Sequence, residues 1–226
     1  MNTNTFRRIL STFTDDPNAL DLNRSEVVIQ VHDQLIEFEA TTRNGQVYVT
    51  EAGIEEAAEK WICKRLANLD LLARHILDIT NAIPDFIEPS GTFIDVLEKS
   101  PEGNESECES VIAKMKTEII SGSGLSSYVI YLTSDAGEGK TTIVRELARR
   151  QADDYLKRKV DSLVVPIYLG GQPFIKLDDM IIGSIANTYK FRSLYIDSFL
   201  ELAKIGSIIP AFDGFEEMFV VGSSGE

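Results

Sequence analysis

The stretch SDAGEGKTT, residues 134–142, decides how the C-terminal half of this chain is interpreted. The apolar run YVIYL (128–132) precedes it, and a stretch with helical apolar spacing begins at Ile143. A glycine-rich turn between a buried strand and a helix is typical of phosphate-binding loops, because glycines let the backbone approach an anion and the helix N-terminus is electropositive. The pattern of such loops, G-x-x-x-x-G-K-[ST], is matched except at its first position, where Ser134 stands.

The residues of this loop have distinct predicted roles toward a bound nucleoside triphosphate. Gly137 and Gly139 allow backbone amides to surround the β-phosphate, and Lys140 carries a charge that reaches the β- and γ-phosphate oxygens. Thr141 offers a hydroxyl to Mg2+, and Ser134 is tolerated if its φ is negative. The predicted nucleotide-binding set is Ser134, Ala136, Gly137, Glu138, Gly139, Lys140, Thr141 and Thr142. A turn of this kind can also merely connect a strand to a helix.

A second acidic motif, SIIPAFDGFEEM (207–218), follows about 70 residues later. Asp213 ends an apolar run, so its carboxylate is expected at the carboxyl edge of the sheet, where it would hold Mg2+ directly or through water. Glu216 is the preferred residue to orient the attacking water, and Glu217 is the second choice. The predicted catalytic residues are thus Lys140, Glu216 and Glu217, and the predicted metal ligands are Thr141 and Asp213. On its own, DGFEE also fits a turn with solvated acids.

Together, these two motifs resemble the Walker A and Walker B motifs of the NACHT family of P-loop NTPases, within the STAND class. The first family motif, G-x-A-G-x-G-K-T-T, is matched from Ala136 to Thr142 and departs at Ser134. The second, an apolar run followed by D-G-x-[DE]-E, is matched by Asp213, Gly214, Glu216 and Glu217. The resemblance covers about residues 126–221.

The resemblance implies a slowly hydrolysing, ATP-dependent switch that uses Mg2+ and assembles into homo-oligomers on activation. Family members serve immune signalling or, in bacteria, antiviral defence against phage. ATP rather than GTP follows from the resemblance alone. Family members continue past the second motif with further strands, a winged helix and a sensing repeat array, so this chain is expected to be part of a longer protein.

The expected fold class is α/β: a parallel-sheet P-loop NTPase domain, apparently incomplete, preceded by a small α+β domain. Continuous apolar runs predict buried strands at 128–133, 162–169 and 206–212. Helices are predicted at 139–158, 177–189 and 193–204. The small-residue segment SGSGLSS (121–127) predicts the boundary between domains 1–122 and 123–226.

The first domain is expected to be an effector, adaptor or oligomerisation module. Residues 26–53 predict two or three antiparallel strands, with a hairpin at Asn44-Gly45. Apolar spacing predicts a long helix over 54–79 and shorter helices over 92–98 and 110–120, with an acidic loop at 99–110. A nuclease is a weaker alternative, since Asp33, Glu37 and Glu39 lack the expected lysine. His32 and His75 are expected to be structural.

Composition excludes several classes of protein. The formal net charge of −14 divides into −11 for residues 1–125 and −3 for residues 126–226, so a nucleic-acid surface is not indicated. The basic side chains of residues 149–159 are expected to form a solvated helix face. Cys63 and Cys108 lack metal-ligand spacing, and no apolar run approaches the roughly 18 residues that a membrane span needs. These features favour a cytoplasmic protein with reduced thiols.

Two other functions remain open at this point. A P-loop motor or loader would have ATP turnover stimulated by DNA or RNA. A scaffold would bind nucleotide without cleaving it.

Overall fold

A computed structural model of the chain describes residues 1–22, 26–95, 104–122, 128–170 and 176–215. Helix α1 spans Thr3–Ser11, and Pro17–Ala19 form one 3-10 turn. The four strands of the first sheet are Val27–Val31 (β1), Gln34–Arg43 (β2), Gln46–Glu51 (β3) and Ile54–Ala57 (β4). They form an antiparallel meander in the order β1-β2-β3-β4.

The hairpin predicted at Asn44-Gly45 is confirmed. Both residues have positive φ angles, 53° and 75°, as a two-residue hairpin turn requires. Ala52 and Gly53 repeat this geometry at 49° and 79°, and their turn folds Ile54 back to pair with Glu51. The helix predicted from residue 54 is therefore wrong over 54–57, because the left-handed turn adds a fourth strand there.

The helical part of this region begins at Ala58 and is interrupted. Helix α2 spans Ala58–Trp61, a π-helical turn spans Ile62–Leu66, and α3 spans Leu69–Ile79. Asn68, at the interruption, is in the left-handed region with φ 48°. Trp61 is a core residue: it is buried and donates its indole N–H to Glu51 at 2.7 Å.

A second hairpin replaces the helix predicted over 92–98. Strand β5 spans Gly91–Asp95 and pairs antiparallel with β6, Asn104–Cys108, which lies in the predicted acidic loop. The helix prediction is thus wrong over 92–95, and 96–98 lie outside the described residues. Thr92, Phe93 and Ile94 are β-branched or aromatic residues, which suit a strand once a partner is present. Helix α4, Val111–Gly122, confirms the helix predicted from residue 110.

The C-terminal half contains a two-stranded parallel sheet. Helix α5 spans Lys140–Leu156, β7 spans Leu163–Tyr168 and β8 spans Ile208–Asp213. The register runs from Leu163 opposite Ile208 to Tyr168 opposite Asp213. Between the strands lie α6 (Leu177–Gly183), a π-helical turn (Ser184–Thr188) and α7 (Ile196–Lys204). Two of the three predicted strands and all three helical regions are confirmed.

The third predicted strand, 128–133, does not form, so that prediction is wrong. Residues 128–135 have neither helical nor strand structure, while β7 and β8 pair with each other. Val129 and Tyr131 are 72% and 85% exposed. A strand needs a hydrogen-bonding neighbour, and the apolar run has none among the described segments.

The two halves of the chain share one hydrophobic core. Helix α3 packs against α5, and Asp70 of α3 accepts hydrogen bonds from Arg158, one at 2.9 Å. Ser198 of α7 donates to the carbonyl oxygen of Thr12 at 2.8 Å. The boundary predicted at 123 stays a prediction, since 123–127 lie outside the described residues. No helix in the described ranges is long and apolar enough to cross a membrane.

Candidate nucleotide-binding site

The predicted phosphate loop leads directly into α5. Gly137 and Gly139 adopt φ angles of 87° and 88°, in the left-handed region that favours glycine. Gly139 is the N-cap of this 17-residue helix, no side chain caps the helix, and its first turn contains no acidic residue. The N-terminal end of α5 therefore presents backbone amides and the positive end of a long helix dipole toward the loop.

Lys140 closes the loop from the helix side. Its ammonium group donates hydrogen bonds to the carbonyl oxygens of Ser134 at 3.0 Å and Asp135 at 3.2 Å. The amide of Glu138 donates to the carbonyl of Asp135, and the amide of Asp135 donates to the Glu138 carboxylate at 3.1 Å. These contacts hold the lysine charge within the turn that the two glycines form.

The serine at the first motif position leaves this geometry intact. Ser134 is not among the described non-glycine residues with positive φ, which agrees with the condition under which a serine is tolerated. Its backbone carbonyl, not its hydroxyl, accepts the hydrogen bond from Lys140. The hydroxyl is turned to the carbonyl of Asp135 at 3.4 Å. A glycine at this position would supply the same acceptor.

The remaining loop residues are open to solvent. Ala136, Glu138 and Thr141 are exposed, and Thr142 is half-buried at the first turn of α5. Thr141 thus carries its hydroxyl on the exposed side of the helix start. An anion at this end of the helix would meet the loop amides without displacing a buried side chain.

Asp213 is the last residue of β8, as predicted, and it pairs with Tyr168 at the end of β7. Its backbone carbonyl accepts the amide of Leu169 at 2.8 Å. Gly214 then turns the chain with φ 89°. The carboxylate therefore stands at the carboxyl edge of the parallel pair, the edge at which ligands bind in open α/β sheets.

Tyr168, at the end of β7, lies within electrostatic range of Asp213 of β8 and Arg145 of α5. Burial raises the pKa of Tyr168; the charge of Arg145 lowers it, and the charge of Asp213 raises it. Helix α5 contacts both strands of the parallel pair, and Arg145 of α5 and Asp213 of β8 both act electrostatically on the Tyr168 phenol. Sequence reasoning missed Arg145 and Tyr168, because neither belongs to a phosphate-loop motif.

Glu216 and Glu217 lie outside the described residues, and their roles stay predictions. Within the described ranges, no group of three or more His, Cys, Asp and Glu side chains could hold a metal ion. The predicted Mg2+ site is of a different kind, because it has only two protein ligands, Thr141 and Asp213. In such sites Mg2+ usually completes its coordination with waters and phosphate oxygens.

A cavity of about 220 Å3 adjoins the loop. Ser134 and Glu138 line it from the loop side, and Ile143 lines it from α5. Its opposite wall comes from β5, β6 and α4 in the N-terminal half. Sequence reasoning missed this cavity, because 91–95 were expected to be helical. A second cavity of about 280 Å3, between α6 and α7, is lined by none of the predicted site residues.

Beyond its first turn, helix α5 is held by ion pairs. Glu146 is buried and accepts from Arg149 and Arg150 at 2.7 Å, and the hydrogen bond from Arg149 is the main cause of its lowered pKa. Arg150 also donates to Glu88 at 2.8 Å. The rest of the basic stretch is paired with acids as well, in the pairs Lys157–Asp153, Arg158–Asp70 and Lys159–Asp154. The cations of Lys157, Arg158 and Lys159 thus lie in ion pairs at an exposed surface.

Comparison of the chain with profiles of protein families, with curated proteins and with solved structures finds no match.

Proposed function

We propose that this chain carries the nucleotide site of a P-loop NTPase that binds ATP with Mg2+ and hydrolyses it slowly. One observation carries the proposal: two left-handed glycines and the Lys140 ammonium surround the uncapped N-terminus of a long helix. A helix dipole, backbone amides and a lysine charge at one point favour a polyanion. A connecting turn would not need a lysine folded onto the turn's own carbonyls.

The residues have defined parts in this proposal. The amides around Gly137 and Gly139 hold the phosphates, and Lys140 exchanges its two carbonyl contacts for phosphate oxygens. Thr141 and Asp213 would hold Mg2+, which supplies charge neutralisation at the phosphates when bound. Glu216 orients the attacking water in preference to Glu217.

The resemblance of the two motifs to those of the NACHT family supports a role for this hydrolysis as a molecular switch. In that role the nucleotide state controls whether the protein stays closed or assembles into a homo-oligomer, in cytoplasmic defence or immune-type signalling. The ion-paired basic stretch at the C-terminal end of α5 favours this role over a nucleic-acid motor, because a motor would need those cations for the phosphate backbone.

The test of the site is the Lys140→Ala variant, measured by calorimetric titration with Mg-ATP. ATP binding is expected to be lost while the circular dichroism spectrum stays that of the wild type. Lys157→Ala is the matched control, since Lys157 follows the other end of the same helix, is exposed and pairs with Asp153. Unchanged ATP affinity in Lys140→Ala would exclude the assignment.

A further inference from the structure

We infer that the cavity of about 220 Å3 beside the phosphate loop receives the base of the bound nucleotide, so that the N-terminal half of the chain completes the nucleotide site. This inference rests on the proposed function, because it places a base next to phosphates held by the loop. It adds a base-contacting wall made by β5, β6 and α4.

The position of the cavity supports a base. Ser134 and Glu138 belong to the phosphate loop and also line the cavity, so a ligand with its phosphates in the loop can reach this opening with its other end. Ile143, on the first turns of α5, lines it as well. The cavity is therefore continuous with the loop rather than a separate site.

The size of the cavity also fits one end of a nucleotide. Sites that enclose a whole drug-sized ligand usually have volumes of about 300–1,000 Å3. A volume of about 220 Å3 is smaller, so the cavity suits a base while the phosphates remain at the exposed loop.

The chemistry of the wall is that of a stacking site. Phe93 of β5 and Met115 of α4 line the cavity, together with Ile130 and Leu132 from the segment before the loop. The ammonium of Lys114 lies 4.2 Å from the centre of the Phe93 ring and pairs with Glu118 at 2.7 Å. Aromatic rings and adaptable thioethers both bind flat, polarizable groups well.

The elements that form this wall also make hydrogen bonds and ion pairs with α5. Glu88, just before β5, accepts hydrogen bonds from Ser110 and from Arg150 of α5. Lys116 of α4 pairs with Asp154 of α5. A base in the cavity would therefore touch the N-terminal half at elements already bonded to the phosphate-loop helix, and occupancy would strengthen the contact between the halves.

The experiment compares the binding of Mg-ATP with that of magnesium tripolyphosphate, which has the phosphates and no base. Phe93→Ala is expected to weaken ATP binding by about 5-fold to 150-fold, the equivalent of one lost base–aromatic contact, and to leave tripolyphosphate binding unchanged. Ile94→Ala is the matched control, because Ile94 is the next residue of the strand, is exposed and does not line the cavity.

A second variant covers the case in which Phe93→Ala disturbs the hairpin. Ser90 is exposed and lines the cavity, so Ser90→Trp would fill the cavity without removing a core residue. ATP affinity in Ser90→Trp is expected to fall to that of tripolyphosphate. If both variants bind ATP as the wild type does, the inference is wrong, although the proposed function stands. If the wild type binds neither ATP nor tripolyphosphate, both are wrong.

Discussion

Gly214 lies directly against the backbone of Gly170: a β-carbon built on Gly214 would stand 2.8 Å from the amide nitrogen of Gly170 and 3.1 Å from its α-carbon. Gly214 also has a φ of 89°. Two independent constraints thus require glycine immediately after Asp213. The residue after Asp213 must be small because the chain that leaves β8 passes close to the chain that leaves β7. This close passage holds Asp213 at the edge of the sheet.

Replacing Gly214 by alanine is expected to lower the free energy of unfolding by at least about 2–3 kcal/mol, from left-handed strain together with a backbone clash. Gly206→Ala is the matched control, because Gly206 has a φ of 80° but nothing within 4 Å of an added β-carbon. Only the strain, about 1 kcal/mol, applies there. Urea denaturation of both variants measures the difference, and equal losses would contradict the close approach.

Ser134→Gly and Gly137→Ala are expected to differ in their effect on ATP binding. Ser134→Gly should leave Mg-ATP affinity unchanged, because the carbonyl of residue 134 contacts Lys140 and φ there is not positive. Gly137→Ala should weaken ATP binding by at least about tenfold, because a side chain at φ 87° strains the turn that would hold the phosphates. Calorimetric titration measures both affinities. A loss of affinity on restoring glycine at 134 would mean that the serine hydroxyl itself contacts the nucleotide.

Glu216→Gln is expected to retain ATP binding and lower the rate of hydrolysis by about 100-fold or more, because a glutamine cannot take a proton from the attacking water. Glu217→Gln is the paired variant and should keep most of the turnover. Released phosphate and retained nucleotide are measured under single-turnover conditions. Wild-type hydrolysis rates in both variants would mean that neither glutamate takes part in the reaction. A wild-type protein that binds ATP without hydrolysing it would favour the scaffold function.

The Glu146 carboxylate is expected to make stability depend on pH in the acid range. Its pKa in the folded protein lies below the ordinary value of 4.5, first because of the hydrogen bond from Arg149. A lowered pKa means that the pair contributes its full stability above the unfolded pKa and loses it as pH falls through the folded pKa.

Glu146→Gln should therefore cost about 1.5–3 kcal/mol near neutral pH, the usual value for a hydrogen bond to a charged group. The difference from the wild type should shrink below about pH 4.5. Thermal unfolding at several pH values tests this. Glu118→Gln is a suitable control, because Glu118 pairs with Lys114 at a more exposed site and should show a smaller effect. A Glu146→Gln cost that stays constant with pH would contradict the role of the charge.

Much of the candidate site followed from local sequence, because its requirements are local. The φ angles of 87° and 88° at Gly137 and Gly139 favour glycine, and α5 begins directly after them. The end of β8 at Asp213 followed from the change from apolar to polar residues. By contrast, Arg145 and Tyr168 were missed because only the packing of α5 on β7 brings them together. Glu216 and Glu217 lie beyond the described residues, so that part of the prediction stays open.

By itself, the sequence determined the features that depend on steric preference over a few residues: the hairpin at Asn44-Gly45, the start of α5 after Gly139 and the buried runs that became β7 and β8. Tertiary structure alone decided which segments found partners. Residues 91–95 became a strand because 104–108 pair with them, while the more apolar 128–133 stayed unpaired. The physical reason is that a strand is completed by hydrogen bonds to a distant segment, whereas a left-handed turn or a helix start is completed within itself.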